Sequence, residues 1–229
     1  MSKPNLLILH GALGSEKQFD QLKSELSIDY QLYSFNFPGH GGKYFSNDFS
    51  IDQFTIELQN YLSENRLEDA LIFGYSMGGY VALNLSRIDD RIAQIFTLGT
   101  KFHWTPDSAA HEIKMLNPEK IEEKVPAFAK TLEERHSPLD WKKVIQKTAD
   151  LMINLGNNPI LTSQTFKEIT IPVTITRGTL DNMVSKEESE SAAHHIPNAN
   201  YFEFTEFKHP IEQVNSAELA NRIKEEFNH

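Results

Sequence analysis

Three side chains of this sequence could together turn a hydroxyl into a nucleophile: Ser76, Asp181 and His209. A serine hydroxyl at its ordinary pKa attacks poorly, so a neutral imidazole must take its proton. A carboxylate must then hold that imidazole in the right tautomer and stabilise the imidazolium that forms. Ser76 lies in Gly74-Tyr75-Ser76-Met77-Gly78, a match to G-x-S-x-G. The apolar run Ala70 to Phe73 precedes it and a helix beginning near Met77 follows, so the serine must occupy a sharp, strained strand-to-helix turn. Small residues at 74 and 78 let strand and helix approach closely. The helix then points its free N–H groups and positive end at any charge that develops beside Ser76. The bland alternative is a Gly-Ser turn that only joins two elements.

Ser76, Asp181, His209 is the chain order in which nucleophile, acid and base follow a serine on such a turn. The chain holds nine histidines, so His209 has competitors. His194, His195 and His229 fall on or near helices, where solvation is the expectation, and His111 and His136 fall in a helical stretch. His10 and His40 sit in Gly-containing loops, where an imidazole more often ties the loop down by hydrogen bonds. His209 alone lies just past the last strand and after both other candidates; its bland reading is a solvated loop histidine. Asp181, in Gly178-Thr179-Leu180-Asp181, could likewise be an ordinary turn aspartate.

The elements that must position these groups alternate. Leu6 to Leu9 is an apolar run of the kind found in strands covered on both faces. A capping box at Ser15–Gln18 opens a helix with Phe19, Leu22 and Leu26 inward. Gln31 to Phe37 reads as a strand ending at Pro38-Gly39-His40-Gly41-Gly42. Ser50 caps a helix with Ile51, Phe54, Leu58, Tyr61 and Leu62 inward, and Ile92 to Leu98 is a fourth strand. This rhythm predicts a parallel sheet with right-handed crossovers and helices on both faces. From about 101 to 164 no strand pattern appears. Thr105-Pro106 and Ser137-Pro138 each read as an N-cap with proline at the first helical position. Trp141, Val144, Ile145, Leu151, Met152 and Leu155 form an amphipathic stripe that Gly156 is expected to stop. Prolines 118, 126 and 159 divide the stretch into several helices. The alternation resumes at Ile171–Gly178, Ser185 opens a helix, Tyr201 to Phe204 is a last strand and Ser216 to Phe227 a last helix.

At 229 residues the chain accommodates one α/β domain with an insertion. Apolar residues at 39% and 15 phenylalanines suffice for its core. A net charge of −10 without a Lys/Arg cluster argues against nucleic acid or an anionic membrane surface as partner. The absence of cysteine excludes disulfides, thiolate nucleophiles and cysteine-based metal sites. The apolar run before His10 is too short for a signal peptide or a membrane span, so a cytoplasmic protein is the expectation.

Taken together, His10-Gly11, Phe37-Pro38-Gly39-His40-Gly41, the G-x-S-x-G at Ser76, Arg177-Gly178-Thr179-Leu180-Asp181 and the late His209 resemble the ordered motifs of the α/β-hydrolase superfamily, end to end. The resemblance implies a hydrolase core over 1–100 and 165–229 and a helical cap over 101–164. It implies the catalytic set Ser76, Asp181 and His209, with the backbone N–H groups of Ala12 and Met77 as oxyanion hole, each such donor worth about 3–4 kcal/mol. By the same resemblance the first strand is expected to match the family's third, with the usual amino-terminal hairpin expected to be missing. Asn36 stands where an aspartate is common, and Lys208 where a glycine usually precedes the histidine.

Serine at the elbow argues against the branches that attack through a carboxylate. The elbow is similar to that of the menaquinone-pathway synthases, lyases that use the same triad as a base. Their elbow is followed by an arginine for a polyanionic substrate; here that position is Tyr80. The expected reaction is hydrolysis of a small carboxylic ester or thioester, with the lyase as alternative and a non-catalytic binding protein as a third reading. Tyr75, Phe102 and Trp104 are the expected substrate-binding residues. Trp141 and Met152 could line an acyl pocket, though helical spacing favours core. The partner is a small-molecule acyl substrate; no metal or organic cofactor is implied.

Overall fold

Alternate residues of each strand go to opposite faces, and here both faces are apolar. The computed structural model describes residues 3–46 and 49–227. Met1 and Ser2, before the first strand, and His229, expected to be solvated, lie outside the described residues. Strands β1 (Asn5–Leu9), β2 (Gln31–Ser34), β3 (Ala70–Tyr75), β4 (Ile92–Leu98), β5 (Val173–Gly178) and β6 (Ala199–Phe204) form one sheet in the order β2-β1-β3-β4-β5-β6. Every pairing is parallel. Helices α1 (Asp20–Leu26) and α9 (Ser216–Phe227) cover one face, over Leu6, Ile8, Phe73 and Phe96. Helices α2 (Ile51–Glu64), α3 (Met77–Leu85) and α8 (Lys186–His195) cover the other, over Leu7, Leu9, Ile72 and Ile175.

The chain thus leaves β1 toward one face and the neighbouring β3 toward the other. Such a divergence opens a crevice at the carboxyl ends of the two strands, the place where parallel sheets bind ligands. Gly11 and Ser76 stand at its two lips.

Between β4 and β5 lie α4 (Pro106–Glu112), α5 (Pro118–Lys124), α6 (Pro126–His136) and α7 (Trp141–Asn157), and none of the described residues 101–164 is in a strand. Thr105 accepts a hydrogen bond from Ser108 N–H and Pro106 opens α4, as its sequence predicts. Pro118 and Pro126 likewise begin α5 and α6. Residues Ile121, Ala129, Leu132, Trp141 and Ile145 give this segment a small core of its own.

Three local expectations change. Ser137-Pro138 does not open a helix: it lies in the turn after α6, and α7 begins at Trp141 behind Asp140, whose carboxylate accepts Lys142 N–H. Gly156 does not end α7. It lies inside the helix where a Cβ would come within 2.7 Å of Ala109, so it sets how closely α4 and α7 approach. Strand β2 stops at Ser34 rather than Phe37. Its pairing with β1 runs out there, and Phe37 N–H turns aside to His10 Nε2 at 3.1 Å.

Candidate active site

The strand-to-helix turn at Ser76 carries the strain its sequence requires. Ser76 has φ 50° and ψ −118°, a left-handed conformation that side chains disfavour. The surrounding backbone holds it there. Ser76 N–H donates to Leu98 O at 2.9 Å, and Ser76 O accepts from Gly79 N–H at 3.1 Å and Thr100 Oγ1 at 3.0 Å. Close approach explains both elbow glycines. A Cβ at Gly74 would lie 2.4 Å from Gly79 Cα, and one at Gly78 2.6 Å from Leu9 O.

Asp181 and His209 meet. His209 Nδ1 donates to Asp181 Oδ2 at 2.8 Å, while Asp181 Oδ1 accepts Met183 N–H at 2.8 Å and Val184 N–H at 3.0 Å. Burial pushes the Asp181 carboxyl up, but the hydrogen bond and charge of His209, with the two amides, outweigh it and hold its pKa below the usual value. Arg177 fixes the acid loop through Asp181 O and Val184 O and pairs with Glu203. Gly99, at φ 64°, leaves the Asp–His pair its room, since a Cβ there would lie 3.2 Å from Asp181 Oδ2 and 3.3 Å from His209 Nδ1. Lys208 is exposed.

The amide of Ala12 is aimed by its neighbours. Gly11 O accepts from His10 Nδ1 at 2.8 Å and from Gly14 N–H at 3.1 Å. Because a trans peptide points its C=O and N–H in opposite directions, tying down Gly11 O turns Ala12 N–H the other way. His10 is therefore the loop tie its position suggests. Phe37 N–H donates to its Nε2, so its proton is on Nδ1.

Asn36 has its own reason. Its Oδ1 accepts Glu16 N–H at 2.9 Å and its Nδ2 donates to Glu16 Oε1 at 3.2 Å. An aspartate would set two carboxylates face to face. Asn36→Asp is expected to cost about 1–3 kcal/mol of stability at pH 7, read as a lower urea midpoint, with the loss shrinking as pH falls through the carboxylate range.

A narrow cavity of about 50 Å³ opens beside Ser76 and His209, lined by Ala12 and Met77 of the elbow side and by Leu151, Met152 and Leu155 of α7. Of the expected substrate-binding residues only Trp104 lines it. Phe102 turns away, packing edge-on against Phe166 at 5.7 Å and lining a separate hollow of about 480 Å³. Tyr75 is buried behind the histidine, where its hydroxyl donates to His209 O at 2.7 Å, a supporting position rather than a lining one. Trp141 lies in the core of the helical segment and Met152 in the cavity wall, so the stripe of α7 divides between the two. Sequence reasoning passed over Glu112, Met183 and Val184, which also line the cavity. Glu112, the last residue of α4, takes its place by pairing back to Lys101 in the loop before that helix, at 3.3 Å. Tyr80 reaches the cavity too. Its oxygen accepts Leu161 N–H at 2.8 Å, and burial pushes its phenol up to about 12.

Among the described residues no group of acidic or histidine side chains is arranged to hold a metal, and no helix is long and apolar enough to cross a membrane.

Known proteins share this architecture. MenH from S. aureus superposes with a TM-score of 0.79 at 19% identity, over 100% of this chain and 96% of that one. An esterase from Exiguobacterium antarcticum superposes with a TM-score of 0.80 at 15% identity, over 100% and 93%. A Mycoplasma pneumoniae protein provisionally named an esterase/lipase is 37% identical over 62 residues, 26% of this chain and 23% of that protein. The chain thus matches under a quarter of the length of its curated relatives. The family model of the alpha/beta hydrolase fold matches residues 4–137, more than half of the sequence, and the chain belongs to that family.

Proposed function

We propose that the protein is a serine hydrolase acting on small carboxylic esters or thioesters, with Ser76 as nucleophile, His209 as base and Asp181 as its orienting acid. The observation that carries this reading is the 2.8 Å Asp181–His209 hydrogen bond at the edge of a cavity whose wall includes a backbone-strained Ser76. Asp181 accepts from Nδ1, so in the neutral imidazole the tautomer it selects carries its lone pair on Nε2, where a proton can be taken. In the reaction Ser76 Oγ adds to the carbonyl carbon while its proton passes to Nε2. The carbonyl oxygen becomes an oxyanion held by the N–H groups of Ala12 and Met77. Collapse breaks the bond to the leaving oxygen or sulfur, which takes the proton from His209. Water then repeats the sequence on the acyl-enzyme and releases the acid.

The helical segment 101–164 acts as the cap, because α7 and Trp104 supply much of the cavity wall. A cavity of about 50 Å³ suits a short acyl chain, since one water-sized group needs about 10–15 Å³. Its wall is mostly apolar, Tyr80 spends its oxygen on Leu161, and the ammonium of Lys101 is already met by Glu112. These features favour a neutral acyl group over the polyanion that a lyase of this fold would hold.

The test is a p-nitrophenyl ester series with the wild type beside Ser76→Ala. Turnover that the variant loses, highest for acetate and propionate, is expected. A folded wild type with no turnover above the variant would contradict the hydrolase reading.

A further inference from the structure

We propose that Arg135, on α6, is a positioning residue for the oxyanion hole: one guanidinium ties the helical segment to the loop that carries Ala12 and to the turn that follows His209. The inference rests on the serine-hydrolase reading. Arg135 Nη1 donates to Leu13 O at 2.9 Å, and Nη2 pairs with Glu212 Oε1 at 2.7 Å. Its side chain is only 13% exposed. Leu13 is the residue after Ala12, and Glu212 lies three positions past His209.

Several contacts converge on the same short loop. His136, the next residue of α6, bonds Leu13 O through Nε2 at 3.2 Å and accepts Gly41 N–H at Nδ1, 3.2 Å away. Two consecutive side chains of α6 therefore use both lone pairs of one carbonyl. Leu13 itself is held at φ 58°, a conformation leucine disfavours, and its side chain packs against the Ile121–Trp141 core of the helical segment. On the far side, Gln18 Nε2 also donates to Glu212 Oε1 at 2.7 Å, and Tyr75 holds His209 O.

The consequence concerns catalysis more than folding. Glu212 is about half exposed, and ion pairs to such groups add little stability. The orientation of Leu13, however, sets the loop 11–14 and with it the direction of the Ala12 amide. A planar fork with two fixed donors does this, and a single ammonium cannot span both acceptors in the same way. Freed of Arg135, Leu13 can relax toward ordinary backbone angles and carry the amide off line. A displacement of about 1 Å at a reacting group can cost about 10²-fold in rate.

The experiment compares wild type, Arg135→Met, Arg135→Lys and Glu212→Gln in full-length protein. It measures kcat and KM on p-nitrophenyl acetate, the inhibition constant of a short-chain trifluoromethyl ketone, and the melting temperature. The ketone adds to Ser76 and places an oxyanion in the hole, whereas substrate binding alone does not. Arg135→Met is expected to lose about 30–100-fold in kcat with KM within about twofold, and to bind the ketone weaker by a similar factor. Arg135→Lys should fall between, and Glu212→Gln should lose a few-fold with an unchanged melting temperature. Wild-type kcat and ketone affinity in a folded Arg135→Met or Arg135→Lys would overturn the inference alone, as would a loss confined to KM. A wild type that neither turns over nor binds the ketone would overturn the serine-hydrolase reading and this inference with it.

Discussion

Asp181→Asn is expected to lower kcat by about 10⁴-fold while leaving the fold nearly intact. The carboxylate now accepts from His209 Nδ1 and from two backbone amides. An asparagine can keep the amide contacts through its oxygen, so the loop 178–184 stays in place. Its NH₂ would then face Nδ1 and force the imidazole into the other tautomer, with the proton on Nε2. A histidine so protonated cannot take the Ser76 proton. The check is single-turnover kinetics on a short p-nitrophenyl ester together with a urea titration. A loss of activity under tenfold, with the urea midpoint unchanged, would argue that His209 is not oriented by Asp181.

The second large effect is on stability against pH. His10 and His136 are buried, and burial, opposed only in part by backbone hydrogen bonds, lowers both to about 4. Each also accepts a backbone N–H, from Phe37 and Gly41, so a proton added there would break that bond. The unfolded chain protonates these rings near 6.5. Between 6.5 and about 4 the unfolded state thus binds protons that the folded state refuses, and stability falls as pH falls. It is fully present above about 6.5. At 1.36 kcal/mol per unit, each ring removes roughly 3 kcal/mol by pH 4. His40, completely buried between them, is lowered as well. Urea unfolding at pH 7.5, 6 and 5 should show a steep decline, reduced by about one ring's share in His136→Gln, whose amide can both accept from Gly41 and donate to Leu13. A urea midpoint that does not move between pH 7.5 and 5 would contradict this account.

Much of the fold was legible because it rests on local chemistry. The strand Ile92 to Leu98, the Thr105 and Ser185 caps and the last helix from Ser216 to Phe227 appear where apolar spacing and capping residues put them. The end of β2 was not legible, because it is set by His10, far away in sequence, taking the amide of Phe37. Nor was the need for a glycine at 156, one residue before the end of α7, which only the partner helix explains. The same division runs through the candidate site. Ser76, Asp181 and His209 each follow a strand of a parallel sheet, so the topology alone brings their elements to the carboxyl ends of the strands. Phe102 and Trp104 are two residues apart after β4, and spacing could not say which would face the serine. Met152 and Trp141 share one helical stripe, yet the turn of α7 gives one to the cavity and the other to the core. Arg135–Glu212 joins elements 77 residues apart, a contact that no local pattern announces.

The central claim is that Ser76 is the nucleophile, and the most direct measurement is intact-protein and peptide mass spectrometry after exposure to a fluorophosphonate. Ser76 Oγ would form the bond to phosphorus as fluoride leaves and His209 takes the hydroxyl proton. The account predicts a single stoichiometric adduct on the peptide containing Ser76, abolished by Ser76→Ala and slowed strongly by Asp181→Asn. A folded protein that remains unlabelled, or one labelled on another serine, would contradict it.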